Sequence, residues 1–288
     1  MQIGVHFPQA EIDPDPSVIR DFAQTVEGLG FSHVNMPDHV IQTRTPRGPL
    51  PLANNYTTEF PHHETMTTLT FIAAVTSTLG LKSAVLIMPQ RPAVLVAKQA
   101  AELDLLSGGR LQMGLGIGWN EAEYEALDMQ FSNRARRLEE QIEVMRKLWT
   151  EEHVTYAGEW HTINDAGLAP MPFQRPIPIW IGAIADAAVR RAGRLADGWQ
   201  VIAFDQQSDS TAEKFELFRT AAREAGRDAS TLGIEATLFA GEGGPDAWAE
   251  GARQWIEAGA TQLVFRPPGN FADIMQAIES FGPLVKEL

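Results

Sequence analysis

The sequence predicts an α/β fold, a closed (β/α)8 TIM barrel with insertions after strand 2 and before strand 5, in a single domain over residues 1–288. Short apolar runs alternate with longer segments of helical periodicity along the whole chain, as in parallel strands joined by right-handed helical crossovers. The pattern contains about eight strands, each followed by a helix, and such a barrel needs roughly 250 residues. No linker divides the chain. An open doubly wound sheet is the alternative fold.

The composition is that of an ordinary globular protein, with 44% hydrophobic residues, 24 glycines and 18 prolines. Lys and Arg number 23 against 37 Asp and Glu, which gives a net charge of −14. That charge argues against a nucleic-acid partner, because phosphate binding needs clustered cations. The chain has no cysteine, so disulfides and thiolate metal sites are excluded.

No stretch of the sequence is apolar for long enough to predict a membrane span. The longest apolar runs, such as residues 84–88, stop well short of the roughly 18 residues that are required. The first residues lack a charged leader and a cleavage site, and they are typical of a strand instead. We therefore expect a cytoplasmic protein with no membrane partner.

The first two βα units open the chain. Residues 3–7 form an apolar strand, and Ser17 can cap a helix whose apolar residues recur at spacings of three and four until Gly30 ends it. A second strand at 33–36 precedes Pro37. The next segment, residues 38–61, is a predicted excursion loop that holds four prolines: Pro46, Pro49, Pro51 and Pro61.

The next elements in order are a helix at 65–78, a strand at 82–88, a helix at 92–107, a strand at 111–117 and a helix at 132–149. Pro92 suits the first position of its helix, because a helix does not need that N–H. Gly108 and Gly109 end the same helix, since glycine tolerates the left-handed conformation of a cap.

Residues 154–178 interrupt the alternation with glycines and prolines that predict a small hairpin and an extended crossing. The alternation then resumes. The expected strands are at 179–182, 199–203, 233–239 and 262–265, and the expected helices are at 186–195, 209–225, 245–258 and 270–281.

A barrel places its active site where strands end and the following loops begin. The residues just after each predicted strand are therefore the first candidates for function. They are Pro8, Gln9, Asp38, His39, Met88 to Gln90, Gly116 to Trp119, Gly182 to Ile184, Phe204, Asp205, Arg266 and Pro267.

Asp38 and His39 follow the second strand directly and open the longest loop. A carboxylate next to an imidazole can tune its pKa and tautomer, which suits acid–base catalysis. The alternative is an Asp that caps the loop beside a solvated His. We take both residues as candidate catalytic residues.

Three alternating glycines, Gly114, Gly116 and Gly118, lie on the fourth strand and its exit. Exposed backbone N–H groups there can bind a phosphate, and tight packing in the barrel wall is the alternative explanation. Asn120 and Glu123 resemble a capping box, which would direct a helix N-terminus toward the same mouth.

The sequence supports neither a metal site nor a nucleophilic hydrolase. The run from His62 to Glu64 contains metal-ligating residue types, but adjacent histidines in a loop point in different directions and no HExxH spacing exists. There is no Gly-x-Ser-x-Gly motif and no cysteine. We therefore predict no bound metal.

Several stretches together resemble the bacterial luciferase-like superfamily, and the resemblance covers nearly the whole chain. The stretches are 23–39, 92–104, 107–111, 114–119, 134–149, 176–182 and 196–199. That superfamily holds flavin-dependent monooxygenases and coenzyme F420-dependent oxidoreductases on a (β/α)8 barrel. An Asp-His pair after the second strand, here Asp38 and His39, is similar to the deazaflavin branch, where the pair lies at the cofactor ring.

The resemblance also implies a cofactor site. In the deazaflavin branch a bulged, non-proline cis peptide on the third strand backs the ring, and by position it would join Ala84 and Val85. Backbone after the fourth strand and around the fifth strand holds the ribityl-phosphate side. The matching positions are Gly116, Ile117, Gly118, Gly182, Ala183 and Ile184. Trp119, which we include in the site, replaces the acidic residue of the deazaflavin sugar-phosphate dehydrogenases, so their proton donor and substrate are not implied.

The sequence thus predicts an oxidoreductase that binds coenzyme F420, or alternatively FMN, and transfers a hydride to or from a small organic substrate. The alternatives are an FMNH2-dependent monooxygenase that uses O2, a barrel that binds a cofactor or ligand without turnover, and a metal-dependent hydrolase. The family resemblance also implies a homodimer.

Overall fold

The structure, a computed structural model, describes residues 1–45, 56–201 and 209–288. The strands are β1 Gln2–His6, β2 His33–Met36, β3 Gly80–Ser83, β4 Leu86–Ile87, β5 Leu111–Gly116, β6 Val154–Ala157, β7 Thr162–Ala166, β8 Ile179–Ala183, β9 Gly198–Val201, β10 Gly233–Phe239 and β11 Gln262–Arg266. The α-helices are α1 Pro16–Leu29, α2 Thr65–Val75, α3 Ala93–Ser107, α4 Glu121–Ala126, α5 Arg134–Thr150, α6 Asp186–Leu195, α7 Asp209–Glu224, α8 Gly244–Ala258 and α9 Phe271–Val285.

Eight strands of the described chain close into a parallel barrel in the order β1, β2, β3, β5, β8, β9, β10 and β11. The circle closes because β3 pairs with both β2 and β5, and β11 pairs with β1. Helices connect successive strands, as parallel pairing requires. The predicted barrel is confirmed, and the open doubly wound sheet is excluded.

The strand predicted at 82–88 is divided in two. β3 ends at Ser83, and β4 begins at Leu86 and pairs with β5. Between them the peptide bond from Ala84 to Val85 is cis, which is the peptide geometry that the family resemblance implied at this position. A short 3₁₀ turn at Met88–Gln90 follows.

Several predicted helix boundaries were wrong by a few residues. Asp15, not Ser17, caps α1: its Oδ1 accepts a hydrogen bond of 2.7 Å from the backbone N–H of Ser17. The helix predicted to end at residue 78 stops at Val75, because Thr76 has extended backbone angles. Pro92 is the cap before α3 instead of its first residue.

The interruption before the fifth barrel strand is the predicted hairpin, formed by the antiparallel pair β6 and β7. The loop predicted at 38–61 is described at its two ends. Its prolines Pro46, Pro49 and Pro51, and the predicted strand exit Phe204–Asp205, lie outside the described residues. In the described part, no helix has both the length and the apolar character needed to cross a membrane.

The inside of the barrel is polar, which the sequence analysis did not predict. Lys82 of β3 is fully buried, and its Nζ lies 2.7 Å from Oε2 of Glu235 on β10 and 2.8 Å from Oε1 of Gln262 on β11. The other groups on the Glu235 carboxylate are His33 Nε2 at 3.1 Å, Asn35 Nδ2 at 3.1 Å and Gln200 Nε2 at 3.0 Å. These side chains come from five strands, β2, β3, β9, β10 and β11, and can meet only inside the barrel.

This buried cluster, Lys82, Glu235, His33, Asn35, Gln200 and Gln262, also fixes the charge state of its carboxylate. Burial opposes ionisation, but Lys82 and His33 outweigh it and hold the pKa of Glu235 well below its ordinary value. Burial lowers the pKa of Lys82 to about 8. Trp180 packs against Lys82, whose Nζ is 3.4 Å from the ring centroid. Gly198 and Gly233 leave room for that ring, since a Cβ at either would collide with it.

Candidate active site

The carboxyl-terminal mouth of the barrel gathers side chains from the ends of several strands. His6 ends β1, His39 follows β2, Trp119 follows β5, and Arg266 ends β11. The far end of the loop after β2 brings Tyr56 and His62 to the same place. His39 and Trp119 lie at strand ends, which is where a barrel ordinarily places its active site.

His39 is hydrogen-bonded to Glu123, a carboxylate that the sequence suggested as part of a helix cap. Its Nδ1 lies 2.9 Å from Oε1 of Glu123, and both side chains are buried. The same oxygen accepts the backbone N–H of Val40 at 3.0 Å, and Nε2 of Gln90 lies 3.4 Å from the other oxygen. The capping box predicted from Asn120 and Glu123 is therefore wrong in its second half: Asn120 caps α4, while Glu123 binds the loop after β2.

Aromatic rings surround the imidazole of His39. The ring of Tyr56 has its centroid 4.1 Å away, that of His62 5.5 Å away and that of Trp119 5.6 Å away. Tyr56 also stacks on His62 at 5.0 Å. Among the described residues, Nε2 of His39 has no hydrogen-bond partner.

Asp38 does not contact the imidazole of its neighbour. Its Oδ1 accepts from Nη2 of Arg91 at 2.8 Å and from Oγ1 of Thr65 at 3.2 Å, and its Oδ2 accepts the N–H of Ile87 at 2.9 Å. Burial raises the pKa of Asp38, although Arg91 opposes the rise. The expectation that Asp38 sets the tautomer of His39 is therefore not what the geometry shows. Asp38 ties β2 to β4 and to the turn beyond it.

The pKa values of three other ionisable groups at the mouth are shifted toward their neutral forms. Burial, with the nearby guanidinium of Arg266, lowers the pKa of His6 to about 3. Burial also lowers the pKa of His62 and raises the pKa of the Tyr56 phenol. Arg266 itself has no ion-pair partner among the described residues. The mouth thus combines imidazoles whose pKa values are lowered with a guanidinium that has no ion-pair partner among the described residues.

The glycine segment after β5 packs against the β3–β4 region. A Cβ at Gly116 would collide with the side chain of Val85, and a Cβ at Gly118 would lie 2.7 Å from Cγ2 of Ile87. The carbonyl of Ile117 accepts from Oη of Tyr124 at 2.6 Å. The packing explanation for these glycines is thus present in the structure, alongside the proposed role in cofactor binding.

The segment at the end of β8 lies at the same mouth. The carbonyl of Ala183 accepts from Nε1 of Trp199 at 3.1 Å, and Gly182 pairs with Gln200 across to β9. Ile184 follows the strand and exposes 42% of its surface. Both backbone segments that the family resemblance assigned to the cofactor therefore sit at strand ends.

The residues at the mouth have chemistry that suits a large, planar, anionic cofactor. Trp119 and Tyr56 offer aromatic surface. Among the residues that the structure describes, Nε2 of His39 and Oε1 of Gln90 lack hydrogen-bond partners and Arg266 lacks an ion-pair partner. Within the described ranges, no three His, Asp or Glu side chains are grouped to hold a metal. His62 and His63, which the sequence suggested as weak metal candidates, pack against aromatic rings instead.

The sequence analysis missed Tyr56, His62 and Glu123 as neighbours of His39. Glu123 had a weak signal, since a carboxylate three residues after Asn120 fits a cap as well as a site. Tyr56 had none, because it lies in a loop far from any predicted strand. Gln90 and Arg266 were among the residues expected at strand exits.

Replacing Gly118 with Ala is expected to destabilise the fold more than replacing Gly108 with Ala. Both glycines have left-handed backbones, with φ of +63° and +68°, but a Cβ at Gly108 meets nothing within 4 Å. The shared conformational cost is about 1–2 kcal/mol, and the collision with Ile87 adds about 1–3 kcal/mol at Gly118. Urea unfolding of both variants measures the difference, and equal losses would contradict the packing argument.

The amino-acid sequence is similar to a known family and to individual known proteins. A family model described as luciferase-like monooxygenase matches residues 1–282. The F420-dependent hydroxymycolic acid dehydrogenase of Mycobacterium tuberculosis is 33% identical over 271 residues, which are 92% of this chain and 69% of that protein. The FMNH(2)-dependent dimethylsulfone monooxygenase of Pseudomonas putida is 35% identical over 139 residues, which are 47% of this chain and 38% of that protein.

The fold also matches solved structures. The structure described as F420-dependent secondary alcohol dehydrogenase in complex with an F420-acetone adduct superposes with a TM-score of 0.79, at 17% identity, over 97% of each chain. At this identity the likeness shows the shared fold alone.

Proposed function

This chain belongs to the luciferase-like monooxygenase family, and from that premise we propose that it is an oxidoreductase that binds coenzyme F420 at the barrel mouth and transfers a hydride between F420 and a small organic substrate. The observation that carries the proposal is His39, an imidazole held at the mouth by Glu123, with Nε2 unbonded among the described residues. The relative matched over 92% of this chain is F420-dependent by name, which supports the same cofactor.

We assign the cofactor to the backbone segments already described. Ala84 and Val85 would back the ring, and the segments 116–119 and 182–184 would hold the remainder of the cofactor. When bound, the deazaflavin supplies the atom that accepts or donates the hydride. His39 holds or releases, at Nε2, the proton that accompanies the hydride, and the aromatic rings around it exclude water. Asp38 keeps the loop after β2 in place through Arg91 and Ile87.

A second candidate function is an FMNH2-dependent monooxygenation with O2. The observation in its favour is the relative from Pseudomonas putida, which is named as an FMNH(2)-dependent monooxygenase and matches 47% of this chain. The same protein residues would hold FMN. A barrel that binds a cofactor without turnover is the remaining alternative.

One mixing experiment separates the three. The purified protein is combined with reduced F420 or reduced FMN, with and without O2, and with a panel of small alcohols, aldehydes and ketones. Substrate-dependent oxidation of reduced F420 without O2 is the expected result. Consumption of O2 with reduced FMN in the presence of a substrate would favour the monooxygenase, and binding with no oxidation of either cofactor would favour the non-catalytic barrel.

We also propose that the protein is a homodimer with α3 in the interface. Val94, Leu95 and Leu106 of α3 expose 44%, 54% and 60% of their surfaces. Leu95 and Leu106 lie about three helical turns apart and so share a face, where both could contact a second copy of the chain. Sedimentation of the purified protein at several concentrations tests this, and a monomer at every concentration would contradict it.

A further inference from the structure

We propose that Glu123 is the positioning residue of His39: it fixes the imidazole in the tautomer with hydrogen on Nδ1 and so leaves Nε2 as the proton-accepting nitrogen. The tautomer stands on geometry alone, and its effect on turnover rests on the proposed function.

The hydrogen bonds around Glu123 determine which nitrogen of His39 carries the hydrogen. Oε1 of Glu123 already accepts the N–H of Val40 at 3.0 Å, and a backbone N–H can only donate. The amide Nε2 of Gln90 faces Oε2 at 3.4 Å and is also a donor. Both carboxylate oxygens therefore face donors, and Nδ1 of His39, at 2.9 Å, completes the set as a third donor.

The aromatic rings packed around His39 prevent its imidazole from flipping away from Glu123. Tyr56, His62 and Trp119 pack around the imidazole, with Tyr56 at a centroid distance of 4.1 Å. A ring flip that exchanged Nδ1 for Cδ2 would lose the bond to Glu123 and leave a buried carboxylate oxygen with one donor fewer. Packing thus fixes the orientation of the ring, and Glu123 fixes the tautomer.

No other carboxylate in the described part of the chain can take this role. Asp38 is adjacent in sequence, but its oxygens are bonded to Arg91, Thr65 and Ile87. Glu123 itself is fully buried and forms no ion pair with Lys or Arg among the described residues. Burying a carboxylate costs desolvation energy. Positioning the imidazole of His39 is a role that explains why Glu123 is buried with its hydrogen bonds directed at the loop after β2.

Side-chain nitrogen NMR of ¹⁵N-histidine-labelled protein measures the tautomer directly and needs neither cofactor nor substrate. The His39 signals are identified by their loss in His39→Asn. We expect hydrogen on Nδ1 in the parent and in Glu123→Gln, whose amide oxygen still accepts from Nδ1. In Glu123→Ala the tautomer ratio should move toward hydrogen on Nε2 by about 10- to 100-fold, because a charge-assisted hydrogen bond is lost. Glu125→Ala removes an exposed carboxylate from the same helix and should change nothing.

Hydrogen on Nε2 in the parent protein would overturn the proposal, and this outcome does not depend on any variant's folding. An unchanged ratio in folded Glu123→Ala would overturn it as well. Once a substrate is known, Glu123→Ala should lose turnover while Glu123→Gln retains most of it, and added formate should restore part of the loss. Failure of cofactor binding would instead contradict the proposed function and leave the tautomer result standing, so the two failures are distinguishable.

Discussion

Turnover should fall by about 10²–10⁴-fold in His39→Asn, which is the usual contribution of a general acid or base, while the variant folds and still binds the cofactor. Asn keeps a hydrogen-bonding group next to Glu123 but has no nitrogen that titrates near neutral pH. Steady-state turnover and cofactor titration on the same preparation separate the loss of chemistry from a loss of binding.

His153→Asn is the matched control for this variant. His153 lies on the hairpin with 71% of its side chain exposed, paired only loosely with Asp165 at 3.6 Å, so its replacement should leave turnover unchanged. Turnover of His39→Asn within about twofold of the parent across roughly pH 5.5 to 8.5, where histidine ordinarily titrates, would show that His39 is only a loop residue.

Of the substitutions considered, Lys82→Met should have the largest effect on stability. We expect it to lower the free energy of unfolding by about 3–5 kcal/mol, because it leaves a buried carboxylate without its counter-charge. Methionine fills similar space, so the loss reports the charge more than the volume. Lys82 is fully buried, and its Nζ is 2.7 Å from Glu235. Chemical denaturation of parent and variant at pH 7 measures the difference in the free energy of unfolding.

The double variant Lys82→Met with Glu235→Gln is the control for this prediction. It removes both charges and keeps an amide that can bond to His33, Asn35 and Gln200, so it should recover most of the loss. A double variant that is no more stable than Lys82→Met would mean that packing, and not the unpaired charge, sets the cost.

The stability that the Lys82–Glu235 pair contributes should change with pH in a definite direction. In the parent, the pKa of Glu235 lies below its ordinary value of 4.5, so its stabilisation is present above that pH and is lost as the pH falls through the folded value. In Lys82→Met the lowering effect of Lys82 is lost, so we expect the pKa of Glu235 to rise. Protonation of Glu235 would then relieve the unpaired charge. The stability difference between parent and variant should therefore shrink from pH 7 to pH 5. A constant difference would contradict this assignment.

The fold could be predicted from the sequence because each βα unit carries its own local signals. The helix 186–195 and the strand 233–239 have the predicted bounds, since apolar periodicity and turn residues act over a few positions. The apolar pattern could not predict the break between β3 and β4, because residues 82–88 are apolar enough to suggest one continuous strand. The family resemblance, not the pattern, supplied the cis peptide at Ala84.

The candidate site was predictable in position but not in its pairings. His39 and Trp119 follow strands directly, and strand ends converge in any closed barrel. The bond from His39 to Glu123 joins residues 84 positions apart, and no local pattern distinguishes that partner from Asp38. The polar interior does have a sequence signal, since His33, Lys82 and Glu235 are polar residues within largely apolar strands.

We propose that the barrel mouth binds a deazaflavin in preference to FMN. Titration of the purified protein with F420 and with FMN, followed by cofactor fluorescence quenching under identical conditions, tests it most directly. We expect F420 to bind more tightly than FMN. FMN binding at least tenfold tighter, a difference of about 1.4 kcal/mol, would contradict it.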